Sequence, residues 1–262
     1  MSTELLALLC GASYLTAILS AVVGLAGGMT LLVVMLMFFD PLVVLPLHGV
    51  IQLTSNGSRC WFQRQHIETW VLKEYIKLII PMAIVGLIVG REVPTETIKV
   101  AIGIFVLVAT WRPTWLLLGL DPGSIKPKRR FLALGGIIGF LNMTVGATGP
   151  FAAPFFLRLG LSRYQLVGTK AATQMMGHLV KVIMFWIAGF AFMDYAYELL
   201  LLSICVVAGS YTGSHILSRV SEKTFEHLYQ FVLTCLGARL IIESIQNIFD
   251  EKLSKPNRMN TY

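Results

Sequence analysis

The chain of 262 residues is 56% hydrophobic and only 13% charged, with a mean hydropathy of +0.73. A soluble domain carries about 25% charged and about 45–50% apolar residues, so this composition excludes a soluble globular protein, a disordered chain and a disulfide scaffold. A net charge of +7 would suggest nucleic acid as the partner of a soluble protein. In a membrane protein it reflects basic cytoplasmic loops, and no nucleic-acid partner is expected.

The apolar runs are continuous and reach the ~17–25 residues of a membrane helix, without the alternating polarity of barrel strands. They predict an all-α, multi-pass protein of the cell membrane, built as a polytopic helical bundle. The four cysteines are scattered singly through apolar segments and have no metal-ligand spacing. No metal and no cofactor is expected from this pattern.

The apolar runs, and the turn-forming and charged residues between them, predict ten helical segments in chain order. Proline interrupts the second and the seventh segment, which are therefore expected to be short or re-entrant. The segments lie near 5–23, 28–46, 48–65, 70–90, 96–119, 131–146, 149–160, 166–190, 195–217 and 222–248.

The chain is predicted to be an internal duplication. Adding 122 to Gly24, Gly27 and Gln52 leads to Gly146, Gly149 and Gln174. The predicted organisation is a first five-helix repeat over 1–120, a polar basic linker over 121–130, and a second five-helix repeat with a C-terminal tail over 131–262.

Loop charges predict that the two repeats are inverted relative to each other. The linker holds four basic residues, Lys126, Lys128, Arg129 and Arg130, and should be cytoplasmic. The loop near 190–198 carries the acidic residues Asp194 and Glu198 and no basic residue. Its counterpart near 64–73 carries Arg64, His66 and Lys73. Five crossings per repeat place both termini outside. A re-entrant second segment would instead leave four crossings per repeat and parallel repeats.

Two glycine-rich breaks lie at equivalent positions, Gly24-Leu-Ala-Gly27-Gly28 and Gly146-Ala-Thr-Gly149-Pro150. Inverted repeats with broken helices are typical of secondary transporters, whose substrate site lies where the repeats meet. A helix that restarts at such a break directs its free N–H groups and positive dipole end into the protein, which favours an anion. The alternative is that these glycines only permit close helix packing.

Two polar stripes also match at the offset of 122. His48, Gln52, Asn56 and Arg59 share one face of the third segment, and Lys170, Gln174, His178 and Lys181 share one face of the eighth. Polar groups in a bilayer usually face the bundle interior. A cavity with hydrogen-bond donors and cations but no carboxylate would suit an anion.

The stripe positions differ in how easily they are explained without a ligand. His48 and Lys170 are expected to begin their helices, and Arg59 and Lys181 to lie near helix ends, where long cations can reach the interface. The predicted substrate-binding set is therefore Gly27, Gly28, His48, Gln52, Asn56, Gly149, Lys170, Gln174 and His178. If a proton is the coupling ion, His178 or His48 is the expected carrier.

The segments VVGLAGGMTLLVV and VGATGPFAAPFFLRLGLSRYQLVGTKAAT resemble the TauE/SafE family of sulfite and organosulfur anion transporters. The resemblance implies a permease for sulfite, for sulfonates such as sulfoacetate or, in one branch, for aromatic sulfonates such as 4-toluene sulfonate. The chain departs from the usual family pattern at Leu45-Pro-Leu-His48 and at Lys170, which suggests a substrate other than the commonest one.

The leading hypothesis is a secondary transporter that moves a small sulfur-containing organic anion, a sulfonate or sulfite, by alternating access. A carrier of another anion or of a transition metal is the alternative, since Met175, Met176 and His178 lie close together in sequence. An intramembrane enzyme is disfavoured because the chain has no GxSxG, HExxH or CxxC motif. The sequence leaves the oligomeric state open.

Overall fold

The computed structural model describes residues 1–23, 27–156, 158–216 and 222–254, and over these ranges it contains helices and no strand. This confirms the all-α prediction. The helices are α1 (Thr3–Val23), α2 (Gly27–Leu36), α3 (Pro41–Phe62), α4 (Thr69–Glu92), α5 (Thr95–Trp111), α6 (Pro127–Thr144), α7 (Gly149–Ala152), α8 (Arg163–Ile187), α9 (Ala196–Ile216) and α10 (Glu222–Ser254). Short 3₁₀ turns complete several of the connections.

Three segments of the described chain are long and apolar enough to cross a membrane: Thr3–Ala21, Phe192–Gly213 and Gln230–Leu253. Most of their residues face outward, as expected for helices against lipid. The helices α3 and α8 have 22 and 25 residues, also long enough to span, but they carry the polar stripes and pack against each other. The protein is therefore a polytopic helical bundle with apolar helices outside and polar ones inside.

The predicted boundary between the second and third segments, near 46–48, is wrong. The second helix already ends at Leu36, and the third begins at Pro41, directly after Asp40. Proline is well suited to the first helical position because it has no N–H to satisfy there. Pro46 lies inside α3. The signal that decides the boundary is therefore Asp-Pro at 40–41.

The eighth segment also begins earlier than predicted. Ser162 and Gln165 form a capping box, with the Ser162 hydroxyl accepting from the Gln165 N–H, so α8 starts at Arg163. As a result, His48 and Lys170 do not begin their helices, as the sequence suggested, but lie well inside them. Similarly, α6 begins at Pro127, within the segment predicted as linker.

The helices α3 and α8 cross in antiparallel directions. Gly49 lies against Lys181, Gly57 against Met175, and Gly168 against Gln63, so residue numbers rise along α3 as they fall along α8. The helices α5 and α10 are also antiparallel, since Gly103 lies against Ile241 and Trp111 donates to the Thr234 hydroxyl.

Two further pairs are parallel and approach closely through glycine. In the α4–α6 pair, Gly135 and Gly139 lie directly against the backbone of Tyr75 and Ile79. In the α1–α9 pair, Gly209 and Gly213 lie against Tyr14 and Ile18 in the same way. Small residues at these contacts let the backbones pack by van der Waals forces, which replace the hydrophobic effect between helices in lipid.

The contacts also sort the loops into two ends of the bundle. At one end the Met1 amino group pairs with Glu198, Lys99 with Asp40, and Arg91 donates to the Ala188 carbonyl. At the other end Arg158 pairs with Asp121, and Gln165 donates to Glu68.

The basic linker lies at this second end. There the buried Arg130 donates to the carbonyls of Gly123, Ile125 and Phe155. The bond to Phe155 joins the linker to the 3₁₀ turn that follows α7, and the other two bonds lie within the linker.

We expect Gly139→Ala to destabilise the bundle, because its Cβ would collide with the Ile79 carbonyl in a neighbouring backbone that cannot yield locally. Overpacking of this kind costs about 1–3 kcal/mol. Gly136→Ala on the same helix is the matched control, since its Cβ would lie at an ordinary 3.5 Å from Leu78. Thermal unfolding in detergent should show a lower melting temperature for the first variant alone; equal melting temperatures would contradict this packing.

Candidate anion-binding site

A small polar cavity of about 20 Å³ lies where α3 and α8 cross beside the two helix breaks. Side chains and backbone from α1, α2, α3, α8 and the start of α7 meet around it. Its walls are Ser20, Gly28, Met29, His48, Gln52, Asn56, Arg59, Ala147, Thr148, Gly149, Gln174 and His178. Both polar stripes therefore face one enclosed space.

The two histidines of the stripes lie next to each other on one wall. Their ring centroids are 5.9 Å apart in an edge-to-face arrangement. His48 Nε2 donates to the Gly28 carbonyl oxygen at 2.8 Å, which fixes the ring against the start of α2. Both Nδ1 atoms are buried, and neither has a hydrogen-bond partner among the described residues. A buried polar atom left unpaired is costly, so these two atoms mark positions where a ligand would be stabilised.

The two glutamines supply amide groups that are not engaged elsewhere. Among the described residues, neither the Gln52 nor the Gln174 side chain makes a hydrogen bond, although both line the cavity. Gln52 lies against Gly28, where any Cβ would approach its amide oxygen to 2.9 Å. A side chain at this position would therefore displace the Gln52 amide from its place beside Gly28.

Asn56 is held in place by its neighbours on α3. Its amide nitrogen donates to the main-chain carbonyl of Gln52 at 2.9 Å, and its amide oxygen accepts from the Arg59 guanidinium at 2.8 Å. This pair of bonds turns Arg59 back towards the cavity instead of towards the membrane surface.

The charge around the cavity is positive and uncompensated. Lys181 is fully buried (0% exposed), and its ammonium group donates to the Gly146 carbonyl at 3.3 Å. Arg59 and Lys170 are close enough to repel each other electrostatically. Within the described ranges, no ion pair with a carboxylate reaches any of these three cations. Burying a cation without a partner is strongly unfavourable, so a bound anion would relieve the cost.

The structure brings most of the predicted site residues together, with two exceptions. Gly28, His48, Gln52, Asn56, Gly149, Gln174 and His178 all line the cavity. Gly27 instead packs against Thr16 and Ser20 of α1, and Lys170 lies beside Arg59 outside the cavity wall. Gly24, the first glycine of the first break, is outside the described residues.

Arg59, Ser20, Thr148 and Ala147 line the cavity but were not in the predicted set. Arg59 was expected to reach the membrane interface, and its bond to Asn56 explains why it does not. Thr148 belongs to the second glycine break, and its hydroxyl donates to the Asn142 amide oxygen at 3.1 Å. Ser20 carries no sequence signal that would distinguish it from other serines in apolar helices.

The two breaks are not equivalent as helix starts. The first opens α2, which has ten residues, whereas the second opens α7, which has only four. A single turn has little macrodipole, so side chains contribute more to the second half of the site than a helix end does.

A second, smaller cavity of about 10 Å³ adjoins the first. It shares Thr148, Gln174 and His178 with it and extends to Tyr75 and Asn142. His178 therefore stands between two polar cavities, one at the α3–α8 crossing and one towards α4 and α6.

The described part of the chain contains no group of three or more His, Cys, Asp or Glu that could hold a metal ion. The site chemistry there is that of amides, imidazoles, hydroxyls and cations, which suits an anion.

The fold and the site together define a polytopic helical membrane protein with a central cationic cavity. Residues 9–240 match the family model described as sulfite exporter TauE/SafE, so the chain belongs to the TauE/SafE sulfite exporter family, as the sequence resemblance indicated. Membership implies membrane transport of sulfite or a related anion. Searches of curated proteins and of solved structures give no match.

We expect Lys181→Met to raise the melting temperature of the ligand-free protein, because it removes a fully buried, uncompensated ammonium group and keeps most of the side-chain volume. Thermal unfolding without added anion is the measurement. Lys128→Met, at an exposed linker position, is the control and should leave the melting temperature unchanged. A lower melting temperature for Lys181→Met would mean that the ammonium group has a stabilising partner.

Proposed function

We propose that the protein is a secondary transporter that moves a small sulfur oxyanion, foremost sulfite, across the cell membrane by alternating access. The observation that carries this proposal is the convergence of unpaired amides, imidazoles and Arg59 on one enclosed cavity whose charge is not balanced by carboxylates. The protein would move the anion without changing it chemically.

The anion would be held by donors from both halves of the chain. Gln52 and Gln174 would donate amide N–H groups from opposite sides, Arg59 would supply the nearest fixed charge, and Gly28 would present the first N–H groups of α2. Hydrogen bonds to a charged ligand are worth about 1.5–3 kcal/mol each. Lys181 and Lys170 would act at longer range, by lowering the electrostatic cost of the anion in the membrane.

The size of the cavity favours a substrate with little or no organic part. About 20 Å³ is close to the space that one water molecule requires, so a compact oxyanion could enter after small side-chain movements. An organic sulfonate such as sulfoacetate is the second candidate. An aromatic sulfonate would require α3 and α8 to separate.

We further propose that the two halves, 1–120 and 131–262, are inverted repeats. The supporting observation is that α3 and α8, equivalent at the offset of 122, cross in antiparallel directions, as do α5 and α10. Helices related by an axis along the membrane normal would run parallel. In this arrangement, one repeat would rock against the other around the cavity, as in other transporters built from inverted repeats.

The site assignment predicts that Gln52→Ala combined with Gln174→Ala weakens sulfite binding by at least about tenfold, since each lost hydrogen bond is worth about 1.5–3 kcal/mol. The measurement is the shift in melting temperature of the purified protein against sulfite concentration, with acetate and ethanesulfonate compared alongside.

Gln246→Ala, at an exposed position on α10, is the matched control and should bind sulfite like the unaltered protein. Unchanged sulfite affinity in the double variant would refute the assignment of the cavity. A larger shift with ethanesulfonate than with sulfite would assign the site to organic sulfonates.

The topology predicts that position 2 lies outside the cell and position 124 in the cytoplasm. Ser2→Cys and Ser124→Cys, each made in a chain whose four native cysteines are replaced, should differ in labelling by a membrane-impermeant maleimide. The first should react in intact cells and the second only after permeabilisation. Labelling of both from the same side would support parallel repeats and exclude inverted ones.

A further inference from the structure

We propose that the His48–His178 pair binds the proton that moves together with the anion, so that the protein is a proton-coupled transporter. This inference rests on the proposed function and names the coupling ion of the same site. The proton would be held on His178, with His48 as its fixed neighbour.

The first argument is geometric. When His48 Nε2 donates to the Gly28 carbonyl, the Nδ1 atom of a neutral His48 is a lone-pair acceptor. That atom is buried without a partner, and so is His178 Nδ1, in a ring 5.9 Å away. Two imidazoles with free ring nitrogens inside a membrane bundle are expensive unless a proton or ligand uses them.

The second argument concerns the groups that face the pair. His48 is faced by Lys181 and His178 from α8 and by the Gly28 carbonyl from α2. His178 is faced by Lys181 on its own helix, by His48 and Arg59 from α3, and by the Tyr75 hydroxyl from α4 across the second cavity. The parts of α1 and α7 that line the first cavity contribute no titratable group.

The consequence is that proton and anion should bind together. The surroundings are cationic or neutral, so adding a proton to the empty site is opposed by like charges. An anion in the cavity removes that opposition, and by reciprocity a proton on His178 must raise the affinity for the anion by the same factor. Through a coupling of this kind, the proton gradient would drive movement of the anion across the membrane.

The position of His178 supports the assignment of the proton to this ring. His178 lines both cavities, whereas His48 lines only the first and is tied to α2 by a hydrogen bond. His178 therefore also contacts a space beside Tyr75 that is not part of the proposed anion site.

Proton uptake on sulfite binding is the direct test. Sulfite is added to purified protein in weak buffer, and a pH dye reports the protons taken up. We expect about one proton more per bound anion for the unaltered protein than for His178→Gln. Because sulfite itself exchanges protons with the buffer near neutral pH, the signal from the same sulfite addition to protein-free buffer is subtracted from each titration. His66→Gln, at an exposed ring beside Tyr164, is the control and should behave like the unaltered protein.

Transport in proteoliposomes gives the second readout. An imposed pH gradient should drive accumulation of labelled sulfite in the unaltered protein and in His66→Gln. His178→Gln should lose gradient-driven accumulation, and its sulfite affinity should respond less to a lower pH than that of the unaltered protein. Equal proton uptake in all variants would overturn the proton inference while leaving the anion site intact, whereas absence of sulfite binding in the unaltered protein would refute the proposed function itself.

Discussion

The cost of placing polar and charged groups in a bilayer is the constraint on which this architecture depends. Each stripe residue on α3 and α8 is tolerable only if it faces another protein group or an enclosed polar space. The two helices therefore pack against each other at the centre, and α1, α9 and α10 present apolar surfaces to lipid. Between the apolar faces of helices in lipid, association depends on van der Waals packing, and glycine occupies the closest helix contacts, where α4 meets α6 and α1 meets α9. The bundle therefore combines polar groups buried at the centre with close contacts between its other helices.

The uncompensated positive charge of the cavity also bears on how transport would be gated. Closing an empty site buries Arg59 and Lys181 without a counter-charge, whereas closing a loaded site buries them with an anion. The free-energy difference between the open and closed conformations then depends on whether the anion is bound. A ligand shifts such an equilibrium by the difference between its affinities for the two conformations. In the proposed mechanism, the cations would therefore serve both to attract the anion and to disfavour closure without it.

Much of the fold follows from sequence patterns that reflect strong physical constraints. The helical class, the central position of both stripes and most of the cavity wall were predictable, since continuous apolar runs and periodic polar residues have few other solutions in a membrane. Helix boundaries were less predictable. Pro46 seemed to end the second segment, but Asp40-Pro41 is the better start signal, and this displaced His48 from its true depth in α3. The inward turn of Arg59 depends on its bond to Asn56 and has no pattern in the sequence. The short α7, in contrast, agrees with the proline that was expected to interrupt the seventh segment.

The differences between the two stripes carry more functional information than their similarity. The offset of 122 pairs Gln52 with Gln174 as identical residues, but pairs His48 with Lys170 and Asn56 with His178. The contact between His48 and His178 therefore corresponds, at the other end of the antiparallel crossing, to the region where Lys170 lies near Arg59 and Asn56. One end of the site thus holds the two imidazole rings with Lys181 beside them, and the other holds Arg59 and Lys170, with the matched amides between them. If proton and anion share the site as proposed, the differences between the two stripes would separate their roles: the cations would attract the anion, and the imidazoles would make that attraction respond to pH.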